Sequence, residues 1–312
     1  MTEPASLARS LLEEGRVEVV VGYRPGTLPL RARPHFAFSP EQAAQFIWDR
    51  TCTPDLTVYL PRLKGRRVAV FVKGCDARSL VVLLQERQLS REQLVVIGLE
   101  CPGVVTPDKL PPEQYQALTS ATVEGEQVLL RGGSQLERVP VEQLLADPCR
   151  TCQHPDPVIQ DYLIPTNCGR REREDPYGVV AQFERLEREE RWVRLEREVA
   201  DCIGCYACRQ ACPLCYCPDC FTDRFQPRWV GPIWSTSDAL FFHLARALHL
   251  AGRCVDCGAC VRACPLGIDL RHVYKRLEQA VKERFGYVPG LDPEAPPVLG
   301  TFRPEDPGDF IK

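Results

Sequence analysis

The chain has 312 residues, a formal net charge of −3, 44% hydrophobic residues and 26% charged ones. These values fit a globular protein of one large or two medium domains, and they exclude a disordered chain and a general nucleic-acid binder. Seventeen cysteines, an odd number, argue for a reducing compartment and for metal ligation rather than a disulfide framework.

The first residues lack the basic start and apolar run of a signal peptide, and no apolar stretch reaches the length of a membrane span. The reading is therefore a cytoplasmic protein. Residues 4–15 read as a helix and 17–21 as a strand, followed by a loop over 22–34. Ser39-Pro40-Glu41 starts a helix, with proline at its first position, that runs to about Trp48 and delivers Cys52.

The clearest α/β signal comes next. Residues 67–72 and 94–98 are continuous apolar runs, as for strands buried on both faces. Between them, 73–78 read as a loop and 79–88 as a helix, which makes a right-handed parallel unit. Cys75 and Cys101 fall just past the carboxyl ends of these strands, where open α/β sheets bind ligands. The positive end of the following helix, with Arg78, is expected to lower their thiolate pKa and to favour an anionic ligand. That ligand would be a metal cluster, shared with Cys149, Cys152 and Cys168, or the phosphates of a flavin. Taken singly, each thiol is equally well a small buried hydrophobe.

Residues 122–131 and 137–139 read as a hairpin and 141–146 as a short helix. Cys149-x2-Cys152 and Cys168 follow. The charged stretch 169–176 marks a boundary. A charged amphipathic helix over 184–199 then leads into Cys202, and a helix capped by Ser235 runs to Leu250 and leads into Cys254. His243 and His249 on it read as packing residues. A last helix covers 269–285, and a proline-rich tail begins at 286. The expected domains are thus 1–172 (α/β, with a partly parallel sheet), 173–285 (α-helical, ferredoxin-like) and 286–312 (an extended tail that reads as a partner-docking segment).

Two stretches carry the chemistry. Cys202-x2-Cys205-x2-Cys208-x3-Cys212-Pro213 is repeated as Cys254-x2-Cys257-x2-Cys260-x3-Cys264-Pro265. This spacing wraps three sulfurs around one cubane and sends the fourth cysteine to the other cluster. The expected ligand sets are Cys202, Cys205, Cys208 with Cys264, and Cys254, Cys257, Cys260 with Cys212. Structural zinc is the competing reading, but it usually pairs two short knuckles rather than two four-cysteine runs. Cys215, Cys217 and Cys220 form a further triplet. With Cys149, Cys152 and Cys168 they are candidate ligands for one or two more clusters, and zinc is an alternative for the Cys149–Cys152 pair.

The run from Lys73 to Ser79 after a strand, Cys149-Arg-Thr-Cys152, Cys202-Ile-Gly-Cys205-Tyr-Ala-Cys208 and Cys212-Pro-Leu-Cys215-Tyr-Cys217 resemble the iron–sulfur beta subunits of formate dehydrogenases and deazaflavin-coenzyme hydrogenases. The resemblance covers nearly the whole chain. It implies an electron-transfer subunit with two 4Fe–4S clusters in an anaerobic oxidoreductase complex of the formate dehydrogenase, hydrogenase or heterodisulfide-reductase type. Its partners would be a catalytic subunit and other electron carriers. In the deazaflavin branch it implies FAD and reduction of the coenzyme. The alternatives are therefore a flavin subunit that reduces a deazaflavin or nicotinamide acceptor, and an assembly subunit with structural clusters. No phosphate loop, Gly-x-Gly-x-x-Gly fingerprint or hydrolase triad was found, so no residue reads as catalytic.

Overall fold

The computed structural model describes residues 3–166 and 172–300. It opens with helix α1 (Pro4–Glu13) and strands β1 (Val19–Pro25) and β2 (Ala32–Ala37), followed by the four-residue helix α2 (Pro40–Ala43). Strand β3 (Val68–Val72), helix α3 (Gly74–Gln85) and strand β4 (Leu94–Leu99) form the parallel unit. Short helix α4 (Pro112–Gln116) leads into strands β5 (Ser120–Glu124), β6 (Gln127–Gly132) and β7 (Gln135–Pro140). Helices α5 (Val141–Leu144) and α6 (Asp147–Arg150) and strand β8 (Tyr162–Ile164) complete this half.

The main sheet has the order β2-β1-β3-β4-β8. Only the β1–β2 pair is antiparallel; β1–β3, β3–β4 and β4–β8 run parallel. It is thus an α/β fold on a mixed, mostly parallel sheet. All five residues of β3 are buried, as a central strand covered on both faces requires. The second sheet, β5-β6-β7, is antiparallel and packs a smaller core with Leu30, Val105 and Leu144.

Four local readings are corrected. The span 22–34 is not one loop, because β1 continues to Pro25 and Ala32–Ala37 adds an edge strand in register Val20–Ala37. The strand expected over 122–131 is broken at Gly125, giving three strands instead of a two-stranded hairpin. The helix from Pro40 stops at Ala43, where the chain turns so that Ile47 N–H can bond to the Tyr23 carbonyl at 2.9 Å. Helix α3 begins at Gly74, not Ser79, because the Asp76 carboxylate accepts from the Lys73 backbone N–H at 3.2 Å and closes the first turn.

The second half is helical. Helix α7 (Gly178–Glu184) and α8 (Arg188–Ala200) replace the single helix expected over 184–199. They are followed by α9 (Ala207–Gln210), α10 (Thr236–His249), α11 (Ala259–Arg262) and α12 (Arg271–Phe285). The two halves have separate cores that share helix α3. Ala77 and Leu80 of α3 pack into the sheet core, whereas Val82 and Leu83 of the same helix pack with Val199, Leu240, Leu250 and Tyr274 of the helical half.

The described part of the proline-rich tail is tied to α3. The Gln85 amide donates to the Asp292 and Ala295 carbonyls at 2.8 and 2.7 Å, and Tyr287 donates to Gln85 Oε1 at 3.0 Å. No helix among the described residues is long and apolar enough to cross a membrane.

Candidate metal centres

Each four-cysteine motif follows the end of a helix: Cys202 comes after α8 and Cys254 after α10. The turns are built alike. Left-handed backbone occurs two and four residues past the first cysteine in both, at Gly204 (φ +65°) and Tyr206 (φ +57°), and at Asp256 (φ +56°) and Gly258 (φ +70°). Such residues reverse the chain without a regular element and turn the third cysteine onto a one-turn helix, α9 or α11. Glycine is also required by space. A Cβ on Gly204 would lie 2.7 Å from the Trp234 ring, and one on Gly258 would lie 2.3 Å from Pro148.

The thiols gather around three cavities. Cys202, Cys205, Cys208 and Cys264 line the first. Cys212, Cys254, Cys257 and Cys260 line the second. Each thus takes three thiols from one motif and the last cysteine of the other. Cys260 also reaches the first cavity. Cys212, Cys215, Cys217 and Cys220 line the third, a more open space of about 380 Å³. Among the described residues, no three His, Cys, Asp or Glu side chains converge as ligands of a single ion would. The thiols surround spaces instead.

A fourth group forms in the α/β half. Burial and the Asp76 carboxylate push the Cys75 thiol well up, with Cys257 and Cys101 as neighbours. Burial followed by the Cys149 thiol pushes Cys101 up to about 12, with Cys152 also close. The chain at His154 crosses so near α3 that a Cβ on Gly74 would lie 2.2 Å from the His154 carbonyl oxygen, which brings Cys152 over the helix start. Cys75, Cys101, Cys149 and Cys152 are therefore together at the carboxyl edge of β3 and β4. The expected lowering of the Cys75 and Cys101 thiol pKa values is corrected, because burial and the neighbouring anionic groups raise both. Cys168 lies outside the described residues. Arg78 spends two donors on carbonyls, Nε on Pro289 at 2.9 Å and Nη1 on Val255 at 3.3 Å, so it ties α3 to the tail and to the second motif.

Burial also raises Cys254, Cys257 and Cys260, and it pushes Cys208 up to about 11. The third cavity differs. A hydrogen bond with Cys212 draws Cys215 down to about 7, and bonds from Thr222 and Arg209 outweigh burial to lower Cys220. Thiols held protonated by burial ligate only when a metal's positive charge replaces the proton. Cys52 stands apart, fully buried in the sheet core with its thiol raised by burial. His243 is buried against Phe242, and His249 is exposed with its ring against Phe221.

Sequence reasoning missed the cations at these cavities. Arg246 lines all three, and Arg271 lines two while pairing with Asp256 at 2.8 Å. The available signal was an arginine on the apolar face of the 236–249 helix.

No protein-family model matches the chain. It is 23% identical to the F420-dependent formate dehydrogenase subunit beta of Methanocaldococcus jannaschii, over 96% of this chain and 94% of the relative. It is 25% identical to the F420-dependent formate dehydrogenase 1 subunit beta of Methanococcus maripaludis, over 96% of this chain and 93% of the relative. A chain of the F420-reducing NiFe hydrogenase complex from Methanosarcina barkeri superposes with a TM-score of 0.37 at 16% identity, covering 48% of this chain and 57% of that one; a likeness of that size carries no argument. Along nearly its whole length, the chain is similar to beta subunits of F420-dependent formate dehydrogenases, the family its cysteine motifs resemble.

Proposed function

We propose that this chain is an iron–sulfur electron-transfer subunit of a cytoplasmic oxidoreductase complex of the formate dehydrogenase type. The observation that supports it best is the exchange of the fourth cysteine between the motifs, so that each cavity draws on both. That exchange is how two neighbouring cubanes are held by one polypeptide. The spread of the thiols supports it too: a tetrahedral zinc draws its ligands to about 2.3 Å from one point, whereas no three potential ligands converge so among the described residues.

On this reading Cys202, Cys205, Cys208 and Cys264 hold one 4Fe–4S cluster, and Cys212, Cys254, Cys257 and Cys260 hold the second, in a ferredoxin-like helical half. We assign Cys75, Cys101, Cys149 and Cys152 to a further cluster, with Cys168 as a spare candidate, and Cys215, Cys217 and Cys220 to another. When bound, such clusters supply one-electron transfer. The residues shared between neighbouring sites support an order for them. Cys75 neighbours Cys257, Cys260 faces both cubane cavities, and Cys212 faces the second and third. The second cubane site is therefore the junction, linked to the sheet edge on one side and to two more exposed sites on the other. Cys205 and Cys217 are exposed, and Ile203 and Leu266, which are also exposed, flank the first cavity. We place the exchange with a partner's carrier there.

Protein purified without oxygen tests this by iron, sulfide, zinc and flavin analysis, followed by an EPR redox titration. At least about eight irons per chain, two cubanes' worth, with reversible signals from at least two clusters, is the expected result. Fewer irons would remove the reading. Bound FAD with pyridine-nucleotide or deazaflavin reduction by the isolated chain would replace it with the flavoenzyme alternative.

A further inference from the structure

Arg246 is 5% exposed on α10, and it is the residue at which the first, second and third cavities meet. Its Nη1 donates to the Tyr274 hydroxyl at 2.6 Å and its Nη2 to the Cys208 carbonyl at 3.1 Å. Nε is buried with no hydrogen-bond partner. Apart from Arg62, which is exposed, the other arginines at these cavities each face a carboxylate: Arg271 with Asp256 at 2.8 Å, Arg209 with Asp223 at 2.9 Å and Arg253 with Glu86 at 2.9 Å. Arg246 has no carboxylate partner; a phenol, an amide carbonyl and the Cys215 thiol face it. A buried guanidinium stays charged, and burying a charge without a counter-charge is strongly unfavourable. The groups around it that carry negative charge when ligating are cysteines, among them Cys208, Cys212, Cys215 and Cys260.

We infer that Arg246 is the shared counter-cation of the sulfur sites, a positioning residue that holds the cubane potentials up together. This rests on the reading of the two motifs as cluster ligands. Each cluster with its four thiolates is net negative, and reduction adds one more electron. A fixed positive charge close by stabilises the reduced state more than the oxidised one and raises the potential. One cation placed among several sites shifts all of them in the same direction. The unpaired Nε supplies a donor for a cluster or thiolate sulfur, a second device that moves potentials the same way.

The test uses full-length protein prepared without oxygen, as wild type, Arg246→Gln, Arg246→Lys and Arg253→Gln. Iron and sulfide are counted first, and EPR-monitored redox titrations follow. Wild type without clusters would end the cluster reading itself, separately from the role of Arg246. With iron retained in Arg246→Gln, both cubane midpoints should fall. The reduced-to-oxidised ratio at a fixed potential should drop at least tenfold, which is 59 mV for one electron. Arg246→Lys keeps the charge and should stay within threefold of wild type. Arg253→Gln, which lines only the third cavity, should leave the cubane midpoints in place. Unmoved midpoints in Arg246→Gln, movement of one cubane alone, or an equal shift in Arg253→Gln would each overturn the proposal. If Arg246→Gln does not hold its iron, Arg246→Lys decides: midpoints within threefold support a charge requirement, and a tenfold shift with the charge kept overturns it.

Discussion

Two buried features decide what single substitutions do. Lys73 and Asp76 are 2.7 Å apart and almost fully buried, and Lys73 also donates to the Pro54 carbonyl at 2.9 Å and to the Tyr23 hydroxyl. Each charge is tolerated because the other is present. Asp76→Ala leaves the ammonium uncompensated and should cost about 3–5 kcal/mol, while Lys73→Met with Asp76→Leu should lie closer to wild type. Denaturant unfolding of Asp76→Ala and of the double variant beside wild type checks both statements. The cysteines divide in the same way, by what surrounds them. Cys208→Ser removes a thiol from the first cavity and should lose about four irons, one cubane's worth. Cys52→Ser changes a thiol inside the sheet core and should leave the iron count of the purified protein unchanged.

At the scale of elements, α3 is the part on which both halves lean. Its first turn carries Cys75, and its last turns pack into the helical core through Val82 and Leu83. Leu83→Ala should cost about 2–5 kcal/mol, and it should loosen the helical half although the residue lies in the α/β half. Faster iron release to a chelator than from wild type is the measurement. The tail depends on the same helix. Removing residues 287–312 deletes the carbonyls that Arg78 and Gln85 bind. It should lower the unfolding midpoint, whereas a purely partner-docking tail would leave the isolated chain's stability unchanged.

For the whole molecule, the two main cores differ in what they have to stand on. The sheet core gathers twenty-six buried residues among the described ones; the helical core gathers eleven and is packed against by Cys202, Cys212, Cys215, Cys254 and Cys257. A small core around ligand sites is one whose folding is coupled to metal. Stripping iron under reducing conditions should therefore melt the helical half first. The expected result is loss of helical circular dichroism and new protease cuts beyond residue 172, with the 67–99 unit still protected from hydrogen exchange. Loss of protection in both halves together would show that α3 makes them one folding unit. We propose 1–172, 173–285 and 286–312 as the units, and the order of cuts tests that division.

What the sequence determined was what is local. Cysteine spacing is a property of a few consecutive residues, so both motifs and the helices leading into them were legible. So were strands 68–72 and 94–98, because a strand buried on both faces is a continuous apolar run. The rest depends on partners distant in the chain. Strand β2 carries Arg33, Pro34 and His35 and exists because β1 pairs with it; its composition alone reads as loop. Gly74 reads as a break, yet a helix starts there because Lys73 and Asp76 close the turn and the 154–155 segment needs the space. The thiol pKa shifts ran opposite to expectation because burial is a property of the whole packed molecule. Only the tertiary structure set Arg246 between three cysteine-lined cavities, because α10 meets both motif turns and the 212–220 segment there.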